Sequence, residues 1–157
     1  MKIRSVNDSD YDIISPQINE WWSGRQMSDM LPKLFFTHFQ DTSLIAEIEG
    51  GIVGFLIGFL SQSYPKEAYI HFVGVHPSYR NQKIANNLYR DFFQMIKKEK
   101  RSIIRCVTSP VNKGSIAFHK KMGFKIVEGD TLVNEVSVHL NYDGKDGDRV
   151  LFIKKVD

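Results

Sequence analysis

Apolar residues recur along this chain at a spacing of two, then at three or four, and the switches between these rhythms mark its elements. Residues 2–6 alternate as a strand does. Asn7, Asp8, Ser9 and Asp10 then offer N-cap side chains to a helix whose apolar positions are Ile14, Ile18, Trp21 and Trp22, and which stops near Gly24. A second helix starts near Pro32, whose missing N–H costs nothing in a first turn, and presents Leu34, Phe35, His38 and Phe39 before ending short of Asp41. Three β-rich runs follow at 43–49, 52–60 and 67–75. They are separated by turn residues that include Gly50 and Gly51, so an antiparallel meander is expected.

Residues 75–88 pass from a short apolar strand through a tight polar turn into a helix. Arg80, Asn81, Gln82, Lys83, Ile84 and Ala85 lie where the first turn of that helix belongs, and backbone N–H groups there have no intrahelical partner. An anion, a diphosphate above all, can satisfy them. Ile84, Leu88, Phe92 and Ile96 recur every fourth residue as a buried stripe that anchors this anion site to a core. Beyond it, 103–108 reads as a buried strand, Pro110, Val111 and Asn112 as a turn, 112–122 as a helix closed by Gly123, and 124–127 as a strand. The polar stretch 128–148 reads as mostly loop with a short strand at 136–139, and 149–156 as the closing strand. No repeat or linker interrupts the run. A single domain over 1–157 is therefore expected, a mixed α+β sheet with helices on its faces.

Composition narrows the function classes. A chain of 157 residues, 42% hydrophobic and 25% charged, has ordinary globular composition. Twenty-one basic against eighteen acidic residues leave a net charge of +3, too slight to support a nucleic-acid partner. Lys97, Lys98, Lys100 and Arg101 cluster at a predicted helix end, where they complement the dipole. The lone Cys106 makes no disulfide and has no metal-ligand spacing, so no metal is expected. The first residues lack an apolar signal core, and the greasiest run, 51–60, is half the roughly 20 residues a membrane span needs. The chain reads as cytoplasmic, with no membrane partner.

The order of elements and two local patterns resemble the GNAT superfamily of N-acetyltransferases, which move an acetyl group from acetyl-CoA to an amine. The first pattern runs from Arg80 through Asn81, Gln82, Lys83 and Ile84 to Ala85, behind Val75, Pro77 and Tyr79. It is similar to the family's Arg or Gln, two residues, Gly, one residue, Gly or Ala. The second runs from Asn112 through Ser115, Phe118 and His119 to Gly123 and Phe124, similar to the family's Asn, small residues and an aromatic pair before Gly-Phe. The two stand in order, about thirty residues apart, and the likeness spans nearly the whole chain. It implies a central, mostly antiparallel sheet of about six or seven strands, splayed at its centre and flanked by about four helices. It also implies acetyl-CoA as co-substrate. Backbone N–H groups around Gln82 to Asn86 would hold the pyrophosphate, Val73 and Val75 would pair with the pantetheine arm as with an added strand, Asn112 and Ser115 would contact the pantetheine or the phosphates, and Phe118 would also belong to the cofactor site.

Two residues depart from the family pattern. Lys83 stands where the family has its first Gly: a positive φ would let its Cβ crowd the diphosphate, whereas a helical backbone would simply add a cation there. His119 occupies the slot of a Tyr that protonates the leaving thiolate in many relatives. Its imidazole can serve as that acid or only pack.

Amine acetylation needs an unprotonated nucleophile, so a base is expected near the splayed strands, and Glu67 and His71 are the candidates. Period-two alternation puts both on the sheet face of Val73 and Val75. A structural His and an exposed strand-start Glu are the alternative readings. Trp22 and Arg25 fall in the region that covers the acceptor in the family, and Arg25 is suited to a carboxylate or phosphate. His139 is a third acceptor-binding candidate, in a late loop with Tyr142, Asp143, Asp146 and Asp148 that often shapes acceptor choice in the family, and whose acidic residues suit a cationic acceptor or only keep the loop solvated. The expected function is N-acetyl transfer from acetyl-CoA to a small-molecule or peptide primary amine by direct attack, in a protein that can pair as a homodimer. The alternatives are a noncatalytic acyl-CoA-binding module and, on the slight positive charge alone, a nucleic-acid binder.

Overall fold

A salt bridge between β1 (Lys2–Ser5) and the start of α1 (Asp10–Trp21) sets the first turn of the chain. Both terminal nitrogens of Arg4 donate to the buried carboxylate of Asp10, at 2.9 and 2.8 Å, and Asp10 also accepts the Asn7 N–H at 2.8 Å. Ser9 holds the N-cap position without a capping bond, so Asp10 orders this helix start. The structure is a computed structural model that describes residues 1–156. A short 3-10 turn (Ser28–Met30) and α2 (Leu34–His38) follow, and then the expected meander of β2 (Leu44–Ile48), β3 (Gly51–Leu60) and β4 (Glu67–Val75). Next come α3 (Ile84–Lys98), β5 (Ile103–Thr108), α4 (Lys113–Lys121), β6 (Lys125–Ile126), β7 (Thr131–Val133), β8 (Val136–Val138) and β9 (Val150–Lys155).

Seven strands form one sheet in the order β1-β2-β3-β4-β5-β9-β6, antiparallel except where β4 runs parallel to β5 across the α3 crossover. The mixed α+β architecture expected from the sequence is thus present. Its four helices divide between two cores. On one face the α3 stripe of Ile84, Leu88, Phe92 and Ile96 packs with Leu56, Ile70 and Ile104. On the other, Ile14, Ile18 and Trp21 of α1 pack with Phe36, Phe55 and Phe72. The α3 helix lies directly on β3 because two glycines leave room for it. A Cβ at Gly54 would come within 2.9 Å of Ile84, and one at Gly58 within 2.6 Å of the Phe92 ring.

The stretch 128–148 holds more order than the expected loop with a single strand. Strands β7 and β8 pair as a hairpin, turned by Asn134 and Glu135 at φ +49° and +67°. Two consecutive left-handed residues suit the right-handed twist of a tight hairpin. The usual Asn-Gly or Asp-Gly signal is missing, so the turn is silent in the sequence.

Candidate active site

Asn81 and Lys83 both take left-handed backbone, at φ +70° and +60°, in the loop that carries β4 into α3. The helix begins at Ile84, later than the expected first turn over 80–85. The N–H groups of Gln82, Lys83, Ile84, Ala85 and Asn86 have no hydrogen-bond partner among the described residues. Successive unpaired amides at a helix start form a concavity that favours anions. The guanidinium of Arg80 donates to the Trp21 carbonyl at 2.7 Å, tying this loop to the end of α1.

Of the two alternatives for Lys83, the left-handed one holds. An L-residue there costs roughly 1–2 kcal/mol because Cβ nears the following carbonyl, and Gly escapes that at an unfolded-state entropy cost of roughly 0.5–1 kcal/mol. Lys83→Gly should therefore raise the free energy of urea unfolding slightly, by about 0.5–1 kcal/mol. A loss of stability would mean that the lysine side chain supports the loop in its own right.

The central strands separate at the next step. β4 pairs with β5 only at Glu67, Ala68 and Tyr69, whereas β5 goes on pairing with β9 as far as Thr108. From Ile70 onward the edge of β4 that faces β5 has no ladder partner among the described residues. A bulge adds to the irregularity: Ile57 opposes Phe72 and Gly58 opposes Ile70, which leaves His71 as the extra residue. The bulge resets the alternation. Val73 and Val75 pack toward the α3 core, while the His71 ring stacks at 4.2 Å on Phe35, which belongs to the α1 core. The expected common face of Glu67, His71, Val73 and Val75 is thus corrected, because strict period-two counting fails across an inserted residue.

A cavity of about 280 Å³ opens where the strands part. Ile70, Val73, Tyr89, Asn112, Ser115 and His119 line it from the α3 and α4 side, and Trp22, Arg25, Met27, Met30 and His71 from the α1 side. Seven of the residues singled out in the sequence meet there: Trp22, Arg25, His71, Val73, Asn112, Ser115 and His119. Asn112 also caps α4, its side-chain oxygen accepting the Ser115 N–H at 3.0 Å. Val75 and Phe118 pack beside the α3 core instead of lining the cavity. Glu67 lies apart, at the end where the strands still pair. It accepts from Arg105 at 2.8 Å in a second cavity of about 320 Å³ that also holds Tyr64, Tyr69 and Tyr142. His139 lines neither cavity, and its Nε2 is buried without a partner among the described residues.

Both cavity histidines have defined protons. His71 Nε2 lies 2.6 Å from the Met30 carbonyl, which can only accept, so Nε2 carries the hydrogen and Nδ1 keeps a lone pair. Burial lowers the pKa of His71 below 6.5, against weaker opposing effects of the Met30 bond and Asp143. His119 Nδ1 lies 2.8 Å from the Ser115 carbonyl and 3.2 Å from its hydroxyl, so Nδ1 donates and Nε2 is bare. The Tyr89 hydroxyl, 2.8 Å from that Nε2, must then be the donor. Burial lowers the His119 pKa and raises that of Tyr89. It also pushes the Cys106 thiol up, which keeps it protonated beside the cavity. Sequence reasoning did not single out Tyr89, Met27, Met30 or Arg149 as cavity residues. Tyr89 sits one position off the α3 stripe, and only the packing of α4 brings His119 to it, thirty residues on. Among the described residues no helix is long and apolar enough to cross a membrane, and no cluster of His, Cys, Asp or Glu is placed to hold a metal.

Known proteins share this architecture. The chain is 31% identical over 90 residues to an uncharacterized N-acetyltransferase of Methanocaldococcus jannaschii, a match covering 55% of this chain and 40% of that protein. It is 29% identical over 84 residues to the L-2,4-diaminobutyric acid acetyltransferase of Nocardia farcinica, covering 54% of this chain and 44% of that protein. Each match thus spans less than half of the relative's own length. Among solved structures, Ard1 from Thermoplasma volcanium superposes with a TM-score of 0.79 at 18% identity, covering 99% of this chain and 97% of that one, and so shares the fold. The acetyltransferase (GNAT) family model matches residues 9–124, which run from the start of α1 through the amide-lined loop and the parted strands to the end of α4, and the chain belongs to that family.

Proposed function

We propose that this protein transfers the acetyl group of acetyl-CoA to a primary amine by direct attack of the amine on the thioester. The parting of β4 and β5 beside five unpaired amides carries this reading. The amides of residues 82–86 suit the pyrophosphate, with the Cβ of left-handed Lys83 narrowing the space that a Gly would leave there. The unladdered edge of β4 at Val73 and Val75 suits a pantetheine arm, which can hydrogen-bond there as an added strand. Asn112 and Ser115 border the same channel. A β4 N–H in the gap can donate to the thioester carbonyl as its oxygen gains charge. Cys106, buried and protonated, is a poor nucleophile, which favours transfer without an acetyl-cysteine intermediate.

The acceptor approaches from the α1 side, past Trp22 and Arg25, and meets His71. An amine in neutral water is mostly ammonium and must lose a proton before it can attack. His71 is suited to take it: neutral, with Nε2–H fixed on Met30 and the Nδ1 lone pair free. A diaminobutyrate acetyltransferase from Paenibacillus lautus, solved with its diamino acid and coenzyme A, has a related fold, with a TM-score of 0.74 at 24% identity. Together with the Nocardia relative it makes small diamino acids a rational first set of acceptors, ahead of peptides with free N-termini.

Thiol release from acetyl-CoA across a panel of amines tests the reading. Turnover with at least one amine is expected, whereas CoA binding without release by any amine would reduce the protein to a binding module. His71 fixes the pH dependence. Its base form is lost as pH falls through a pKa below 6.5, so kcat/KM should hold near neutrality and decline in mild acid. His71→Asn should lower kcat/KM on the order of 100-fold, and an unchanged value would remove His71 as the base.

A further inference from the structure

We infer that Tyr89 and His119 form a proton shuttle that carries the second amine proton to the departing sulfur, an inference that rests on the acetyltransferase reading above. The starting point is a hydrogen-bond chain whose direction is forced. The Ser115 carbonyl fixes the hydrogen of His119 on Nδ1, so Nε2 accepts and the Tyr89 hydroxyl donates. An oxygen that gives its own proton to an imidazole turns its lone pairs elsewhere. This is the hydroxyl, base and orienting-group arrangement that activates hydroxyls for proton abstraction. The rest of the pair's surroundings hold it rigid. The His119 ring stacks on Phe152 at 4.6 Å, and Tyr89 meets Phe118 edge-on at 5.1 Å.

The pair borders the cavity between β4 and β5, next to Ile70, Val73 and Cys106. Of the other groups on that wall, Ser115 and Asn112 offer a neutral hydroxyl and a neutral amide and the rest are apolar or, for the thiol, weak donors, so Tyr89 and His119 are its proton-handling groups. Attack by the neutral amine forms the C–N bond and leaves a positive nitrogen bearing two hydrogens and a negative carbonyl oxygen on one carbon. The nitrogen gives a proton to the Tyr89 oxygen as the Tyr89 proton passes to His119 Nε2. His119 is then an imidazolium, donating to Ser115 and to Tyr89. The carbonyl re-forms, the C–S bond breaks, and the electron pair leaves on sulfur. The thiolate takes the Tyr89 proton as His119 Nε2–H returns one to the Tyr89 oxygen. One proton has moved from nitrogen to sulfur, and the pair ends as it began. The first amine proton, taken by His71, goes to solvent.

Tyr89 is on this account the catalytic residue and His119 a positioning residue that acts through it. Tyr89→Phe and His119→Gln should each lower kcat about 100-fold while KM and calorimetric Kd for acetyl-CoA stay within about threefold, and the double variant should lose no more than either single one. A merely structural pair would instead spread its loss over KM and Kd. If His119→Gln does not fold, Tyr89→Phe, which keeps the ring, decides by the same split. A Tyr89→Phe enzyme with kcat within about threefold of the parent, losses that multiply in the double variant, or a change confined to KM would each overturn the shuttle. Such a result would leave the acetyltransferase reading standing, whereas a parent protein that releases no thiol with any amine would defeat both.

Discussion

Ala85→Glu is expected to weaken binding of CoA and acetyl-CoA about 100-fold or more, as measured by calorimetry. Ala85 is the second residue of α3, amid five amides that have no partner among the described residues. A carboxylate placed there would compete for the same amides and repel the diphosphate. Two unit charges about 4 Å apart at an effective dielectric of about 20 interact by about 4 kcal/mol, and screening still leaves a loss of the stated size. The fold should not suffer, because a negative side chain in a first turn favours the helix dipole by about 0.3–1 kcal/mol. A protein that melts as before yet no longer takes up the coenzyme would place the phosphates on this helix start. Unchanged affinity would place them elsewhere.

Phe92→Ala should destabilise the fold by about 3–5 kcal/mol and lower its melting temperature by roughly 10 °C. Phe92 is fully buried at the centre of α3, and its ring takes the space that Gly58 leaves over β3. Truncation removes a ring from a site that backbone on both sides prevents from collapsing. Because α3 carries both the amide cluster and Tyr89, loosened seating should also reduce coenzyme affinity. A loss under about 1 kcal/mol would mean that α3 rests on the sheet through other contacts.

The elements were legible where burial on one side imposes a period. The α3 stripe, the meander and the closing strand follow from apolar spacing, and the order of elements with the two local patterns pointed to the family. What escaped depends on single residues that break a period. The bulge at His71 shifts every later β4 side chain to the other face, and no residue type announces it. The left-handed backbone of Lys83 and Glu135 is a conformation that surrounding contacts impose on residues with no preference for it, while Asn134, which tolerates it, gives no hairpin signal without a following Gly. The candidate site divided in the same way. Residues local to a motif, such as Asn112, Ser115 and His119, could be found by pattern, whereas Tyr89 gains its meaning only from a helix packed against its own. Glu67 was a reasonable base by residue type, yet Arg105 holds it in the neighbouring cavity.

The slot between β4 and β5 is lined from both sides of the sheet, by Tyr89 and His119 on one and by Trp22 and His71 on the other. For the proposed reaction, donor and acceptor thus have separate doorways and meet only at the reacting carbon. A slowly departing coenzyme need not trap the acylated product, and selection pressure on one entrance can reshape acceptor choice while the other stays as it is.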